Sequence, residues 1–269
     1  MTDWLELCRA AAGDIRAVLE GLPTRIEREP VVGAGRGGDD TTAIDAAAEA
    51  AVVARLEAVH AVGADFTLVS EELGERRFGS GGGTWVVVDP IDGSNNAKRG
   101  IRFFSVSIAV ADGPTIDDVH FGYVRDFGTG EEWTAARGEG TRLDGRPLDG
   151  PLPGDPIDVL SLEATETASI AEKAPSLVGL AHRLRVMGSL ALSLCHLADG
   201  RLDGVCSLKR CRAVDIAAAQ LLLRERGLAI DLPEAPPFGA APLDTVARSR
   251  VVAAATPELC RELHAALGD

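Results

Sequence analysis

The sequence predicts a mixed fold, α+β or layered α/β in its first half and α/β in its second. Three observations carry that expectation. Two helix-period segments near the start are followed by short strand signals spread between Phe66 and Leu162. Beyond residue 180, strand and helix signals alternate, the pattern of α/β layers. Between them, Trp85-Val86-Val87-Val88 reads as a strand covered on both faces, and it runs directly into Asp89-Pro90-Ile91-Asp92-Gly93-Ser94.

In chain order, Thr2-Asp3 can cap a helix whose apolar residues Leu5, Cys8, Ala12, Ile15 and Leu19 recur at helical spacing until Gly21 and Pro23 end it. A second helix is expected from about Ala43 to Val59, with Thr42 and Asp45 in a capping box where Asp replaces the usual Glu. Strands follow at Phe66 to Val69, which leads to Glu71-Glu72, and at Trp85 to Val88, stopped by Pro90. Phe103 to Val110, Val119 to Val124, Glu132 to Ala135 and Ile157 to Leu162 continue the series. The densest Gly/Pro stretch, Asp144 to Pro156, marks the join between an α+β half, residues 1–150, and an α/β half, residues 151–269. In the second half Leu184 to Met187, Leu202 to Cys206, Leu228 to Asp231 and Arg250 to Ala254 read as strands, and Gly188 to Leu197 and Val214 to Arg226 as helices. Thr256-Pro257-Glu258 opens a last helix with a cap, an N1 proline and an early acid in place.

With 269 residues, 46% of them hydrophobic, the chain has ample material for a core. Acidic residues outnumber basic ones by 41 to 27, a formal charge of −14, so nucleic acid is not an expected partner. An anionic substrate would need cations supplied locally. The first twenty residues carry Asp3, Glu6, Arg9, Asp14 and Arg16, which break any signal-peptide core, and no apolar run reaches membrane-spanning length. A cytoplasmic protein with no membrane partner is expected. The five cysteines are odd in number and irregularly spaced, so they read as reduced core residues, and Cys206 and Cys211 lack the spacing of a zinc site. Gly33 to Gly38 formally contains a dinucleotide fingerprint, but it follows a proline and Val31-Val32 and does not sit in a strand-turn-helix unit.

The chemistry centres on the strand that ends in two carboxylates and a hydroxyl. Asp89 and Asp92 stand where α/β sites form, and Gly93 permits the close backbone approach that a following helix start offers to an anion. Hard oxygen ligands of this kind suit Mg²⁺, which takes a few carboxylates and leaves its other positions to water and substrate phosphate. Taken singly, Glu71-Glu72 reads as a solvated acidic turn, and Asp215 as an acid favoured by the dipole of a helix start. Their order along the chain is the stronger signal.

Glu71-Glu72, then Asp89-Pro90-Ile91-Asp92-Gly93-Ser94, then Asp215-Ile216-Ala217-Ala218 after Gly188-Ser189-Leu190-Ala191-Leu192 occur in one sequence. With these pieces nearly the whole chain resembles the Mg²⁺-dependent, lithium-sensitive phosphatases, the family of inositol monophosphatase, fructose-1,6-bisphosphatase and the phosphoadenosine-phosphate phosphatases. The resemblance implies a layered αβαβα sandwich, a homodimer, and two to three Mg²⁺ ions, with Mn²⁺ as a substitute. It implies that Glu71 binds the first metal and orients the attacking water, that Asp89 bridges two metals, that the Ile91 carbonyl adds a ligand, and that Asp92 and Asp215 hold the second ion. Ser94 stands where the family has threonine: the hydroxyl that helps activate water is kept, and the backbone N–H groups of Gly93 and Ser94 bind phosphate. A loop acid that recruits a further metal matches Asp39 or Asp40.

For the substrate, Gly188 and Ser189 open a helix whose N–H groups suit an anionic or hydroxyl-rich group, and helix capping explains them equally well. Before Asp215 the chain reads Leu208-Lys209-Arg210-Cys211-Arg212, where inositol-selective members carry an acid for the polyol and a tryptophan. Cations here suit a second phosphate, so Arg210 and Arg212 are expected substrate contacts and the archaeal dual-specificity type is the nearest likeness. The expected activity is hydrolysis of a small sugar or cyclitol phosphate, fructose 1,6-bisphosphate or inositol 1-phosphate. The alternatives are 3′-phosphoadenosine 5′-phosphate, a specialised-pathway sugar phosphate, or a non-catalytic member that binds a sugar phosphate.

Overall fold

A computed structural model of the chain describes residues 2–35, 40–154, 156–163, 166–235 and 237–268. Helix α1 (Trp4–Gly21) is capped by Asp3, whose Oδ1 accepts from the Glu6 N–H at 3.1 Å, and one stripe of it buries Leu7, Cys8, Ala11, Ile15 and Leu19. A short α2 (Arg25–Arg28) and the antiparallel pair β1 (Val31–Ala34) and β2 (Asp40–Thr42) lead into α3 (Ala43–Ala61). Thr42 and Asp45 form the expected capping box at its start.

The larger sheet contains, among the described residues, β3 (Phe66–Ser70), β4 (Gly74–Phe78), β5 (Trp85–Asp92), β6 (Ser105–Ala111), β7 (Val119–Asp126), β8 (Glu132–Ala136), β9 (Gly140–Leu143) and β10 (Arg146–Pro147), in the order β10-β9-β8-β7-β6-β5-β3-β4. Within this sheet, among the described residues, only β3 and β5 pair in parallel. A single turn and a half of helix, α4 (Ser94–Arg99), follows β5. The smaller sheet is built from β11 (Ile157–Glu163), β12 (Ala181–Arg185), β13 (Gly204–Ser207), β14 (Ala229–Asp231) and β15 (Val252–Ala254), in the order β12-β11-β13-β15-β14. Helices α5 (Thr167–Lys173), α6 (Leu190–Ala198), α7 (Ala213–Glu225) and α8 (Pro257–Leu267) are interleaved with these strands.

The layers follow from strand periodicity. Val86 and Val88 pack with the α1 and α3 side of the large sheet, whereas Val87 packs with α6 and α7 on the other. Helices α6 and α7 in turn cover one face of the small sheet through Val205 and Ala253, and α8 covers its other face through Leu259 and Leu263. The result is a layered αβαβα sandwich with a shared middle layer. Fully burying each large apolar side chain contributes roughly 1.5–3 kcal/mol, so α6 and α7 join the two sheets through one continuous core. All five cysteines are free and buried.

Three expectations are corrected. Pro90 does not end its strand: β5 continues to Asp92 through an irregularity opposite β6, where Asp89 pairs with Ser107 and Asp92 with Ser105. Proline is tolerated there because a bulge leaves one residue without a ladder partner. The strand expected at Leu184 to Met187 lies earlier, at Ala181–Arg185, and the helix expected from Gly188 begins at Leu190, because Ser189 is its N-cap.

Candidate active site

Several element ends, three of them on the large-sheet side, open on one cavity of about 660 Å³. The turn between β3 and β4 supplies Glu71, the end of β5 supplies Asp89 and Asp92, the start of α4 supplies Ser94, and the first turn of α7 supplies Asp215. The Glu71 turn is held from beneath by buried Glu49 on α3, which accepts from the Ser70 hydroxyl and from the Leu73 N–H at 3.0 Å. Asp89, only 2% exposed, accepts from the Ile91 N–H at 3.0 Å, which bends the chain back on itself at the bulge. Gly93 then takes φ +87°; a β-carbon there would lie 3.0 Å from the Gly188 carbonyl and 3.1 Å from that of Phe103. Glycine is required, and it brings the start of α4 against the loop before α6. Asn96 rivets the same junction by donating to the carbonyls of Phe103 and Met187, each at 2.8 Å.

Gathering acids in this enclosed space raises their pKa values. Burial is the first cause throughout, with repulsion between the acids adding to it at Glu71, Asp89 and Asp92. Glu71 is pushed up to about 8 by burial and by Asp215, against the lowering pull of Arg212. Asp92 is raised to about 7 by burial, with Asp215 adding and the hydrogen bond from Ser189 opposing. Asp89 is raised well above the carboxylate range by burial, Glu71, Asp92 and Asp215, and Asp215 itself is raised by burial.

Arg212 is the N-cap residue of α7 and is buried among these acids. Its Nη2 pairs with Glu71, its Nε lies 3.8 Å from Asp215, and its backbone N–H donates to Asp215 at 2.7 Å. It therefore stands apart from Lys209 and Arg210, which are exposed at the cavity rim. Ser189, expected at the substrate, does not line the cavity. It is buried, its hydroxyl donates to Asp92, and it accepts from the Leu192 N–H at 3.3 Å. The α6 start is likewise not open to a ligand, because Asp92 accepts from the Ala191 N–H at 2.8 Å and the Leu190 N–H at 3.3 Å. Gly188 does line the cavity, as do Gly93 and Ile91. Asp40, at the start of β2, also lines it, and Asp39 lies outside the described residues.

Three charged residues lining the cavity have no counterpart in the sequence reading. Lys98, four residues after Ser94 on α4, lies 3.6 Å from Asp45, and its helical spacing was the available signal. Arg248 comes from a loop with no such signal. Glu163, at the end of β11, is 7% exposed and accepts from the Gly188 N–H at 2.9 Å, the Ser193 hydroxyl at 2.7 Å and the Ser161 hydroxyl at 2.8 Å. It places an acid against the loop that enters the site.

The donor set fits a hard divalent cation in kind: carboxylate and carbonyl oxygens on separate elements, with more negative charge than the nearby arginine offsets. Among the described residues no three of these acids converge on one point as a finished ligand set, and Arg212 bridges Glu71 and Asp215 instead. The fit is therefore one of chemistry and placement, with Arg212 in the position of a counter-ion.

Residues 4–268 match the model of the inositol monophosphatase family. The chain belongs to that family. It is accordingly a phosphatase, a phosphoric monoester hydrolase, in a family that is generally Mg²⁺-dependent. The fructose-1,6-bisphosphatase/inositol-1-monophosphatase of Methanothermobacter thermautotrophicus is 32% identical over 234 residues, covering 83% of this chain and 82% of that protein. The protein of the same name from Archaeoglobus fulgidus is 32% identical over 257 residues, covering 94% and 93%. A crystal structure of an inositol monophosphatase-fructose 1,6 bisphosphatase superposes with a TM-score of 0.84 at 26% identity and covers 98% of this chain and 100% of its own. No helix among the described residues is long and apolar enough to cross a membrane.

Proposed function

We propose that this phosphatase acts on fructose 1,6-bisphosphate and inositol 1-phosphate, with Mg²⁺ held by Glu71, Asp89, the Ile91 carbonyl, Asp92 and Asp215. The observation that carries the reading is the meeting of these acids with Ser94 and a cationic rim in one cavity. Bound Mg²⁺ supplies Lewis acidity and positive charge where the phosphoryl group must sit. The chain's own residues do the rest. Glu71, once ionised, accepts a hydrogen bond from the attacking water and orients it, and the Ser94 hydroxyl holds that water from the other side. The backbone N–H groups of Gly93 and Ser94, which precede the first helical hydrogen bond from Asn96 to the Gly93 carbonyl, would bind the phosphate. For Glu71 and Asp215 to serve as ligands, Arg212 must withdraw into the cavity, where it meets the substrate's anionic end. Glu163 orients Gly188 at the opposite wall.

The rim favours a bisphosphate, since Lys209 and Arg210 lie exposed beside the cavity with Arg248. A nucleotide substrate is disfavoured because none of the described residues lining the cavity is aromatic, so an adenine has no stacking surface there. Arg210→Ala tests the reading, and its exposure keeps folding out of question. Because a charge-assisted contact contributes roughly 1.5–3 kcal/mol, kcat/KM for fructose 1,6-bisphosphate should fall about ten- to a hundredfold. Inositol 1-phosphate hydrolysis should change little. Equal losses on both substrates would place Arg210 in generic phosphate binding, and no bisphosphate turnover by the unaltered protein would limit the activity to cyclitol and sugar monophosphates.

A further inference from the structure

A second cavity of about 350 Å³ opens between α1 and the β7-β8 hairpin, away from the catalytic acids. Three arginines face it. Arg9, Gly13 and Arg16 fall on one stripe of α1, and Tyr123, Arg125 and Phe127 alternate onto one side of β7 and the residue after it. Buried Glu132 is the carboxylate inside: Arg9 holds it through Nη2 at 2.7 Å and Nε at 3.1 Å, and Arg125 Nη1 lies 3.6 Å away. Asp144 accepts from the Glu132 N–H at 3.0 Å. Arg16 has no ion-pair partner among the described residues. Cations thus exceed acids in this cavity, within a chain of net charge −14.

Two further observations point to a ligand. A β-carbon built on Gly130, beside the cavity, would lie 3.7 Å from Arg125 Nη2 and 3.8 Å from Arg16 Nη2, so two guanidinium ends of like charge flank the same turn. Gly13 weakens the interior of α1, yet nothing lies within 4 Å of where its β-carbon would stand. Packing within this chain does not demand glycine at that position, and its bareness keeps the cavity open.

We propose that this cavity is a second anion site that takes a phosphate group, with Arg16 and Arg125 as the binding cations and Arg9 holding the wall through Glu132. The group comes either from inorganic phosphate or from a sugar monophosphate, and both are small enough for the space. Calorimetric titration of the chelated protein isolates the site, because the crowded acids of the catalytic cavity repel phosphate when no metal offsets them. With inorganic phosphate and glucose 6-phosphate as the two probes, millimolar binding is expected in EDTA. Tighter binding of the sugar phosphate assigns the site to an ester, and tighter binding of inorganic phosphate assigns it to the product of hydrolysis. Arg16→Gln, at an exposed and unbridged position, should weaken binding about tenfold or more. Arg125→Gln should do the same, with melting curves confirming that both variants fold. Asp89→Asn should leave this binding unchanged. No heat from either probe at about 10 mM, binding indifferent to Arg16→Gln, or binding abolished by Asp89→Asn would each overturn the proposal.

Discussion

Asp89 is the most enclosed of the acids in the candidate site, and its neighbours make the metal-free protein sensitive to pH. Glu71 and Asp92 rise from ordinary values of 4.5 and 3.8 to about 8 and about 7, and Asp89 rises with them. Between those limits the folded protein holds protons that the unfolded chain has already released, so stability falls as pH rises through the window. Melting of the chelated protein should therefore move down from about pH 5 to about pH 8, and Mg²⁺ should reverse the loss. Asp89→Asn removes one of the repelling charges at constant shape. It should flatten that decline, melt no lower than the native protein at the upper pH, and lose nearly all turnover. A variant that melts many degrees lower while each folded molecule works normally would make Asp89 a structural residue. Arg212 is the other half of the same balance. Arg212→Met keeps the bulk but strips the counter-charge from Glu71 and Asp215, which should cost about 3 kcal/mol in urea unfolding of the chelated protein. Mg²⁺ should close most of that gap. Equal destabilisation with and without Mg²⁺ would show that Arg212 serves the fold alone.

At the scale of elements, the site is a set of ends held against one another. Helix α6 begins on the acid that ends β5, because Asp92 accepts from Ala191 and Leu190 while Ser189 caps the helix and donates to Asp92. Ser189→Ala should therefore destabilise the protein by about 1 kcal/mol with little change in KM. A KM raised several-fold at unchanged stability would put the hydroxyl on the substrate instead. Elements with strong local signals were legible in the sequence: α1, α3 and α8 announce themselves by caps and apolar spacing, and the valines of β5 by their continuity. Strand β4 was not, because Glu75, Arg76 and Arg77 at the sheet edge face solvent and break the apolar pattern. Nor was the continuation of β5 through Pro90, since a bulge depends on its partner strand. The depth of Arg212 was hidden for a related reason: Lys209-Arg210-Cys211-Arg212 reads as one basic turn, and only the start of α7 turns the last of them inward.

Across the whole molecule, the two sheets share α6 and α7 as a middle layer, and the cavity opens where the ends of both halves meet. Glu71, Asp89, Asp92 and Asp215 were legible as a group through their order along the chain, which resembles the family pattern, whereas locally Glu71 reads as a solvated turn and Asp215 as a helix-start acid. Glu163 and Arg248 were not legible, since long-range packing alone brings them to the cavity, whereas Lys98 had a local signal in its spacing from Ser94. The acids, gathered against their own repulsion, are the basis of the proposal that a divalent ion completes the charge balance of this phosphatase. Phosphate release from inositol 1-phosphate and fructose 1,6-bisphosphate, measured on chelated protein before and after Mg²⁺ is added, tests that account most directly. No release in EDTA and recovery with Mg²⁺ is expected; undiminished release in excess EDTA would contradict it.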